Sequence, residues 1–268
     1  MSTDTDNLQD NNESSPDFNN KSVVKAMALL TELGRHLDGV TVTELAQHAG
    51  MPRPTAFRLL LSLEQTGFVE RTDNKYKLGW KIARLGRLAD PYKGIINKLQ
   101  PILKSIADDL NEMIGYAVVN GDADFDLIAE AHGSRLLTLS KGYVGTDFPI
   151  HASATGKMVL AELSDEKVRQ LLPATLPGMA SRTITDREKL IASLAEIRER
   201  GYAVVDDELE ESLFALGVGV RDRAGRLIGV LAVTGPSQRM HARSIESIVG
   251  PLRTTANLIA ALLQEGQG

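Results

Sequence analysis

The chain has 268 residues, a length that corresponds to about two domains of 100 to 200 residues each. It is 43% hydrophobic and 24% charged, and no run approaches the roughly 18 consecutive apolar residues of a membrane helix. The N-terminus MSTDTDNLQD lacks the bases and apolar stretch of a secretory signal, and the absence of cysteine excludes disulfides, thiolate nucleophiles and cysteine zinc sites. We therefore expect a cytoplasmic protein that has no membrane partner.

The net charge of −5 conceals a segregation along the chain. Residues 1–20 hold five acids and no base, residues 21–87 hold 11 bases and six acids, and residues 88–268 hold 19 bases and 24 acids. A basic segment beside a larger acidic one is expected when only one domain meets a polyanion. A surplus of five charges is also within ordinary scatter, so charge alone leaves both interpretations open.

The polar residues 1–20 cannot bury enough apolar surface to fold, and we expect a disordered acidic tail. Next, apolar residues at helical spacing predict a first helix that ends near Gly39; they are Val23, Val24, Met27, Leu30 and Leu33. Thr41 and Glu44 then have the spacing of a capping box, which begins a short second helix. Gly50 suits the tight turn after that helix, and Pro54 suits the first turn of a third.

The third helix, about residues 54–66, separates into two faces. Its apolar positions are Ala56, Leu59, Leu60 and Leu63, and its polar positions are Thr55, Arg58, Ser62 and Gln65. Two alternating runs at 68–71 and 75–78 follow, which is typical of a β-hairpin. Three helices with a tight turn and a basic hairpin predict a winged helix-turn-helix over residues 21–79, although a merely solvated polar helix face is the simpler alternative.

A recognition helix enters the major groove through its N-terminal residues, and a wing follows the phosphate backbone. The predicted DNA-binding residues are Arg53, Thr55, Arg58, Ser62, Lys75 and Lys77.

Residues 80–92 read as a helical linker, broken at Asp90 and Pro91, and residues 93–268 as a second domain. An amphipathic helix comes first, where Pro101 predicts a start or a kink. Strand-like runs lie at 113–120, 126–131, 135–140, 203–206, 216–221 and 227–234, the last two forming a hairpin around 222–225. Helices are predicted near 155–163 and near 165–172. A third helix is predicted to begin at a capping box of Thr185 and Glu188, and a closing helix to run from about His241 to Gln264. This order indicates an α+β fold with a mostly antiparallel sheet.

Several blocks of sequence carry a resemblance to a known family. They are RPTAFRLLLSLEQTGFVER at 53–71, YKLG at 76–79, HASATGKMVLAEL at 151–163, TITDREKL at 183–190, RGYAVVDDE at 200–208 and GRLIGVLAVTGP at 225–236. From about Lys21 to its end the chain resembles the IclR-type bacterial transcription regulators. The resemblance implies a C-terminal effector-binding domain of GAF-like fold, double-stranded operator DNA as partner, and a homodimer or dimer of dimers.

The resemblance also implies a small-molecule effector, often a carboxylate from catabolism, and no cofactor, metal or enzymatic activity. Family pockets map near Leu137, Ser140, Phe148, Ala154, Thr155, Asp206, Leu213, Ala215, Ala232 and Thr234. The chain departs from the family where Ser212 and Ala215 replace the Gly and Cys of a Gly-x-x-Cys pattern, and where Gly219 replaces a proline.

Residues 153–157 offer an independent indication of an effector site. A hydroxyl and Gly156 at a helix start leave backbone amides that suit a carboxylate, although an ordinary helix cap with a closely packed glycine is the commoner arrangement. His151 is expected to be structural. The acidic run at 206–211 could bind a metal, but a solvated loop is more usual.

Two other classes of function remain as alternatives. An enzyme would need a constellation of catalytic groups, and only Ser153 near His151 and an incomplete Gly217-x-Gly219 loop are present. A constitutive DNA-binding structural protein would leave the large second domain without a role.

Overall fold

The computed structural model describes residues 20–89, 94–134 and 148–265. The chain divides into two compact units, residues 1–91 and 92–268. No helix in the described ranges combines the length and apolarity needed to cross a membrane.

The first unit consists of short helices around a three-stranded sheet. Its elements are α1 (Lys21–Leu33), β1 (Val40–Thr41), α2 (Val42–His48), α3 (Arg53–Gln65), β2 (Val69–Thr72), β3 (Lys75–Leu78) and α4 (Trp80–Ala89). The strand order is β1-β3-β2, with both pairs antiparallel. The predicted hairpin and the three predicted helices are therefore present.

Only part of the apolar face predicted for α1 is buried in the core of the first unit. Leu29 and Leu33 are buried, whereas Val23, Val24 and Met27 are half exposed. The first helix also ends at Leu33, short of the predicted end near Gly39. Helical spacing indicates the conformation of a segment, but it does not say which of its apolar residues a small core will cover.

The strand β1 was not predicted from the sequence. Val40 pairs with Tyr76 and Thr41 with Lys75, so that β3 becomes the middle strand of the sheet. A strand of two residues has no periodicity of its own, because its partner lies more than 30 positions along the chain.

The second unit is built on a five-stranded antiparallel sheet. Its elements are α5 (Ile95–Leu110), β4 (Met113–Asn120), β5 (Asp124–Ala131), α6 (Ala154–Ala161), α7 (Asp165–Leu171), α8 (Arg187–Arg200), β6 (Tyr202–Asp206), β7 (Leu213–Arg221), β8 (Leu227–Pro236), α9 (Ser237–His241) and α10 (Ile245–Glu265). The strand order is β5-β4-β8-β7-β6. The predicted α+β class with an antiparallel sheet is confirmed. The predicted run at 135–140 lies outside the described residues.

Each face of this sheet packs against helices. On one face, Tyr116, Leu216 and Leu231 are fully buried against α5 and α10. On the other, Val205, Ala215 and Val230 form a core with α6 and α8. Side chains alternate between the faces of a strand, so the two cores draw on alternate residues of the same strands.

Two predicted helix boundaries in the second unit are wrong. Asp186 rather than Thr185 caps α8, because the Asp186 carboxylate accepts a hydrogen bond from the amide of Lys189 at 2.9 Å. The closing helix does not begin at His241: α9 ends there and α10 starts at Ile245 after Ser244, whose hydroxyl accepts from the Ser247 amide. Pro101 lies inside α5, which begins six residues earlier.

Candidate functional site

The turn between α2 and α3 holds the candidate recognition helix in place. Gly50 has φ +60°, a left-handed conformation that favours glycine and lets the chain reverse within four residues. The carbonyl of Pro52 then accepts from the amides of Thr55 and Ala56, which begins α3. Ala56 and Leu60 are completely buried, so they fix which side of α3 faces the core.

The residues predicted to read DNA lie on the uncovered side of α3. Arg53, Arg58 and Ser62 are exposed, and Thr55 is half-buried. Arg53 Nε donates to Thr43 Oγ1 at 3.2 Å, which ties its guanidinium to α2, and Ser62 Oγ donates to the carbonyl of Arg58. Arg58 is thus the member of this group that combines full exposure with a position in the second turn of the helix.

The wing adds a second basic surface. Lys75 and Lys77 are exposed on β3, while Tyr76 between them is buried, as strand alternation requires. Lys77 Nζ lies 4.0 Å from the carboxylate of Glu70. Both lysines border a groove of about 550 Å³, open to solvent, whose other walls are Asp38, Gly39, Thr72 and Asp73.

A cavity lies on the α6 face of the sheet in the second unit. The space between its lining residues, including the open mouth, is about 520 Å³. Paired residues of three strands make its floor: Thr234 pairs with Met113 on one side and Ala215 on the other, and Ala232 pairs with Gly115. Apart from Met113, the side chains at these paired positions are small, so among the described residues they leave space above the sheet.

The N-terminus of α6 forms a wall of the cavity. Ser153 caps this helix by accepting a hydrogen bond from the Gly156 amide at 3.0 Å, and Ala154 and Thr155 follow in its first turn. Amides in a first turn have no acceptor within the helix. Together with the hydroxyls of Ser153, Thr155 and Thr234, they supply the polar character of a lining that is otherwise apolar.

Seven of the residues expected in an effector site line the cavity: Phe148, Ala154, Thr155, Leu213, Ala215, Ala232 and Thr234. Leu137 and Ser140 lie outside the described residues. Gly156 and Asp206 do not line the cavity, in contrast to the expectation. Gly156 is packed against the backbone of Ile150, so that a Cβ atom would lie 2.5 Å from the Ile150 Cα. Asp206 is on the opposite face of β6 from Val205, which does line the cavity.

Six further residues line the cavity without having been named as effector-site residues: Met113, Gly115, Leu127, Ser153, Val205 and Leu209. Met113 and Gly115 join the lining as the strand partners of Thr234 and Ala232. Strand pairing between β4 and β8 spans more than 100 positions and is not visible in sequence patterns. Ser153 belongs to the segment 153–157 that the sequence analysis considers for a carboxylate, but it is not among the residues predicted to bind the effector.

The acidic run at 206–211 takes part in side-chain contacts rather than forming a cluster for a metal. Asp206 lies 2.5 Å from Arg182 Nη1 and 3.1 Å from His241 Nε2, and Asp207 accepts from the hydroxyl of Ser237. Among the described residues, these carboxylates do not converge with a third ligand on one point.

Glu208 is the buried member of that run. Both of its carboxylate oxygens lie 2.6 Å from Lys157 Nζ, and the two side chains are 11% and 3% exposed. Burial lowers the pKa of Lys157, and the charge of Glu208 opposes that shift. The pair joins α6 to the residue that precedes Leu209 of the cavity wall.

His151 has a structural position, as expected. It is 5% exposed, and its Nε2 lies 2.9 Å from the carbonyl oxygen of Pro177. Ser153 uses its hydroxyl to cap α6, so it does not form a nucleophile and base pair with His151.

A winged helix-turn-helix followed by an α+β unit with a cavity is the architecture of a transcription regulator that carries an effector domain. Residues 22–73 match the IclR helix-turn-helix domain, and residues 92–261 match the bacterial transcriptional regulator IclR C-terminal domain. The chain therefore belongs to the IclR family of bacterial transcriptional regulators.

Individual relatives agree with this assignment. An HTH-type transcriptional regulator of Mycobacterium tuberculosis is 31% identical over 226 residues, 84% of this chain and 85% of the relative. An IclR transcriptional regulator from Silicibacter has a crystal structure with a TM-score of 0.76 and 25% identity, over 90% of this chain and 95% of the other. An IclR homologue from Microbacterium hydrocarbonoxydans, complexed with 4-hydroxybenzoate, has a TM-score of 0.68 and 23% identity, over 90% of this chain and 99% of the other.

Proposed function

We propose that this protein is a ligand-responsive regulator of a catabolic operon. It binds double-stranded operator DNA through α3 and the β2–β3 wing, and it binds a small organic acid in the cavity of the second unit. It acts in the cytoplasm, as a homodimer or dimer of dimers, and without catalysing a reaction. The observation that carries the proposal is the cavity itself: a floor of small residues with hydroxyls and first-turn amides along one wall.

The DNA half of the proposal rests on the exposed basic groups of the first unit. Arg58 reaches base edges from α3, where a bidentate arginine contact to guanine discriminates by about 1–3 kcal/mol. Phe57 and Leu61 share the exposed side of that helix and suit contact with a thymine methyl group. Lys75 and Lys77 neutralise phosphates, which contributes affinity and salt dependence but no sequence preference.

The effector half rests on the chemistry of the cavity wall. A carboxylate at the start of α6 accepts hydrogen bonds from the first-turn amides, and the helix dipole favours its negative charge. Thr155 contributes a hydroxyl beside them. The apolar remainder of the lining suits the hydrocarbon part of an organic acid.

One recognition helix per chain supports the proposed homo-oligomer, because a single helix covers only a half-site of an operator. Two symmetric copies bind two half-sites about one helical turn apart. Analytical ultracentrifugation tests this directly: a species of 29.1 kDa alone, with and without operator DNA, contradicts it.

Operator titrations at several salt concentrations test the DNA half. Arg58→Ala is expected to weaken operator binding and relax its sequence preference, whereas Lys77→Ala weakens specific and non-specific DNA alike and lowers the salt slope. Arg243→Ala, in the second unit, is the matched control and leaves both unchanged. If Lys77→Ala changes neither affinity nor slope, the wing does not lie on the DNA backbone.

Calorimetry tests the effector half. Aromatic and aliphatic carboxylates are suitable probes, beginning with 4-hydroxybenzoate, and phenol serves as the uncharged comparison. Thr155→Val removes one hydroxyl at similar volume and is expected to weaken carboxylate binding, while Thr254→Val on the exposed side of α10 has no effect. An effector that couples to DNA typically shifts operator affinity about five- to 150-fold. Equal carboxylate affinity in wild type and Thr155→Val shows that the Thr155 hydroxyl does not contact the ligand, and conversion of the bound ligand to a product shows an enzyme instead.

A further inference from the structure

Three side chains of the first unit, from α1, from the turn that follows it and from α2, converge at a point that DNA recognition does not use. Glu32 and His36 lie one turn apart near the end of α1, and His48 is the last residue of α2. His36 Nε2 is 3.0 Å and His48 Nδ1 is 3.7 Å from the same carboxylate oxygen of Glu32, and the three atoms lie within 4.8 Å of one another. This is the one group of three such side chains that converges within the described ranges.

The two separations from Glu32 are compatible with a shared metal ion. Ligand atoms at about 2.0–2.1 Å from a tetrahedral zinc ion lie about 3.3 Å from each other. The observed 3.0 and 3.7 Å bracket that value. A hydrogen bond between His36 and Glu32 explains the first distance, but at 3.7 Å His48 is too far from the same oxygen for a second hydrogen bond.

The composition of the cluster selects the class of ion. Two imidazoles and one carboxylate form a common ligand set for Zn²⁺ and for neighbouring transition metals, whereas Mg²⁺ and Ca²⁺ prefer oxygen ligands. The His36 and His48 rings are stacked, with centroids 5.2 Å apart and planes inclined by 2°. A metal lies near the plane of each imidazole that binds it, so coordination requires one ring to rotate about its χ2 bond.

The environment of the cluster leaves room for a fourth ligand. The side chain of Glu32 is 14% exposed, that of His36 25% and that of His48 47%, so the cluster opens to solvent on the side of His48. Arg35 Nη1 lies 3.2 Å from the second oxygen of Glu32 and keeps the first one turned toward the histidines. A hydrogen-bonded outer partner of this kind orients a metal-binding carboxylate.

We propose that Glu32, His36 and His48 bind one divalent transition-metal ion of the Zn²⁺ class in the DNA-binding unit. The ion joins the end of α1 to the end of α2, and His48 is followed directly by the turn that leads into α3. Because the ligands come from α1, from the turn that follows it and from α2, they converge only in the folded unit, and the metal therefore stabilises it. The site is independent of the effector cavity and of the ligand that the cavity takes.

The test uses the untagged full-length protein, stripped with a chelator and dialysed. Calorimetric titration with Zn²⁺ is expected to show one site per chain, and Co²⁺ should produce the visible absorption of a tetrahedral site with nitrogen ligands. The Tm of the transition reported by Trp80, the single tryptophan of the chain, which lies in this unit, should rise with Zn²⁺. Mg²⁺ should produce none of these effects.

The variant His48→Gln separates metal binding from folding, because His48 is half-exposed and lies outside the buried core. It should fold with the metal-free Tm of the wild type and bind Zn²⁺ at least about tenfold more weakly, since losing even an outer partner of a metal ligand costs that much. His241→Gln, at another exposed histidine, is the control and binds as the wild type does. No binding by the wild type, or equal binding by His48→Gln, overturns the proposal.

Discussion

The buried ion pair of Lys157 and Glu208 predicts a large and specific loss of stability when one partner is removed. The ammonium group of Lys157 lies 2.6 Å from both carboxylate oxygens of Glu208. In Lys157→Met this cation is absent, while the Glu208 side chain, 11% exposed, stays buried. Removing one partner of a buried ion pair lowers the free energy of unfolding by about 3–5 kcal/mol, because the other charge stays buried without a partner. For a domain of 150–250 residues each kcal/mol lowers Tm by about 2–4 °C, so we expect a loss of roughly 6–20 °C.

The double variant Lys157→Met/Glu208→Met distinguishes an orphaned charge from lost packing. It removes both charges at similar volume, and such replacements are often neutral or stabilising by about 1–4 kcal/mol. Most of the stability lost in the single variant should therefore return. Lys167→Met is the control, because Lys167 and Asp122 are 3.6 Å apart with side chains 49% and 75% exposed, and an exposed pair contributes about 0–1 kcal/mol.

Differential scanning calorimetry of the full chain measures these changes in the transition of the second unit. The fluorescence of Trp80 follows the first unit and should be unaffected. A single variant that loses less than about 1 kcal/mol, or a double variant that is less stable than Lys157→Met, refutes the reasoning.

Three further predictions concern local structure. Gly156→Ala should destabilise the second unit by about 1–3 kcal/mol or more, measured by urea unfolding, because the added Cβ overlaps the backbone of Ile150; unchanged stability would mean that α6 can move away from that backbone. Ser212 has φ +60°, a conformation that costs a non-glycine residue about 1 kcal/mol, so Ser212→Gly should raise the free energy of unfolding by up to that amount, and a loss in the same assay contradicts this. Hydrogen bonds from the side chain and amide of Thr41 lower the pKa of Glu44, so its contribution to stability is present above the ordinary glutamate pKa and is lost as pH falls through the lowered value. In Glu44→Gln the free energy of unfolding of the first unit should therefore fall less steeply as the pH is lowered. An unchanged pH dependence would show that other carboxylates cause the loss of stability in acid.

The sequence predicted most elements of both units because their signals are local. The capping box of Thr41 and Glu44, the turn at Gly50 and the alternation around Tyr76 each depend on residues a few positions apart. The predictions that failed depended on contacts between residues far apart in the sequence, or on a choice between two adjacent residues. The β1 strand needs β3, the burial of α1 depends on the size of the core, and the cap of α8 could be either Thr185 or Asp186.

The residues of the candidate sites, too, could be predicted only where the signal lies in nearby sequence or in the family resemblance. Periodicity placed Arg58, Ser62 and the wing lysines on exposed faces, and seven cavity residues followed from the family resemblance. Gly156 was expected in the site from its place at a helix start, and Asp206 from the family resemblance, but neither lines the cavity because a helix or strand turns adjacent residues in different directions. The convergence of Glu32, His36 and His48 could not be predicted, because β1 and most of α2 separate His36 from His48 in the sequence.

The floor of the cavity has a consequence for how readily this chain could change its ligand. Gly115, Ala215, Ala232 and Thr234 project from neighbouring strands whose backbones are held by pairing on both sides. Exchanging one of these small residues for a slightly larger one alters the depth of the cavity by one or two carbon atoms and leaves the hydrogen-bonded sheet as it is. Under the function proposed above, selectivity for the apolar part of a ligand can therefore drift in small steps, while the start of α6 stays constant.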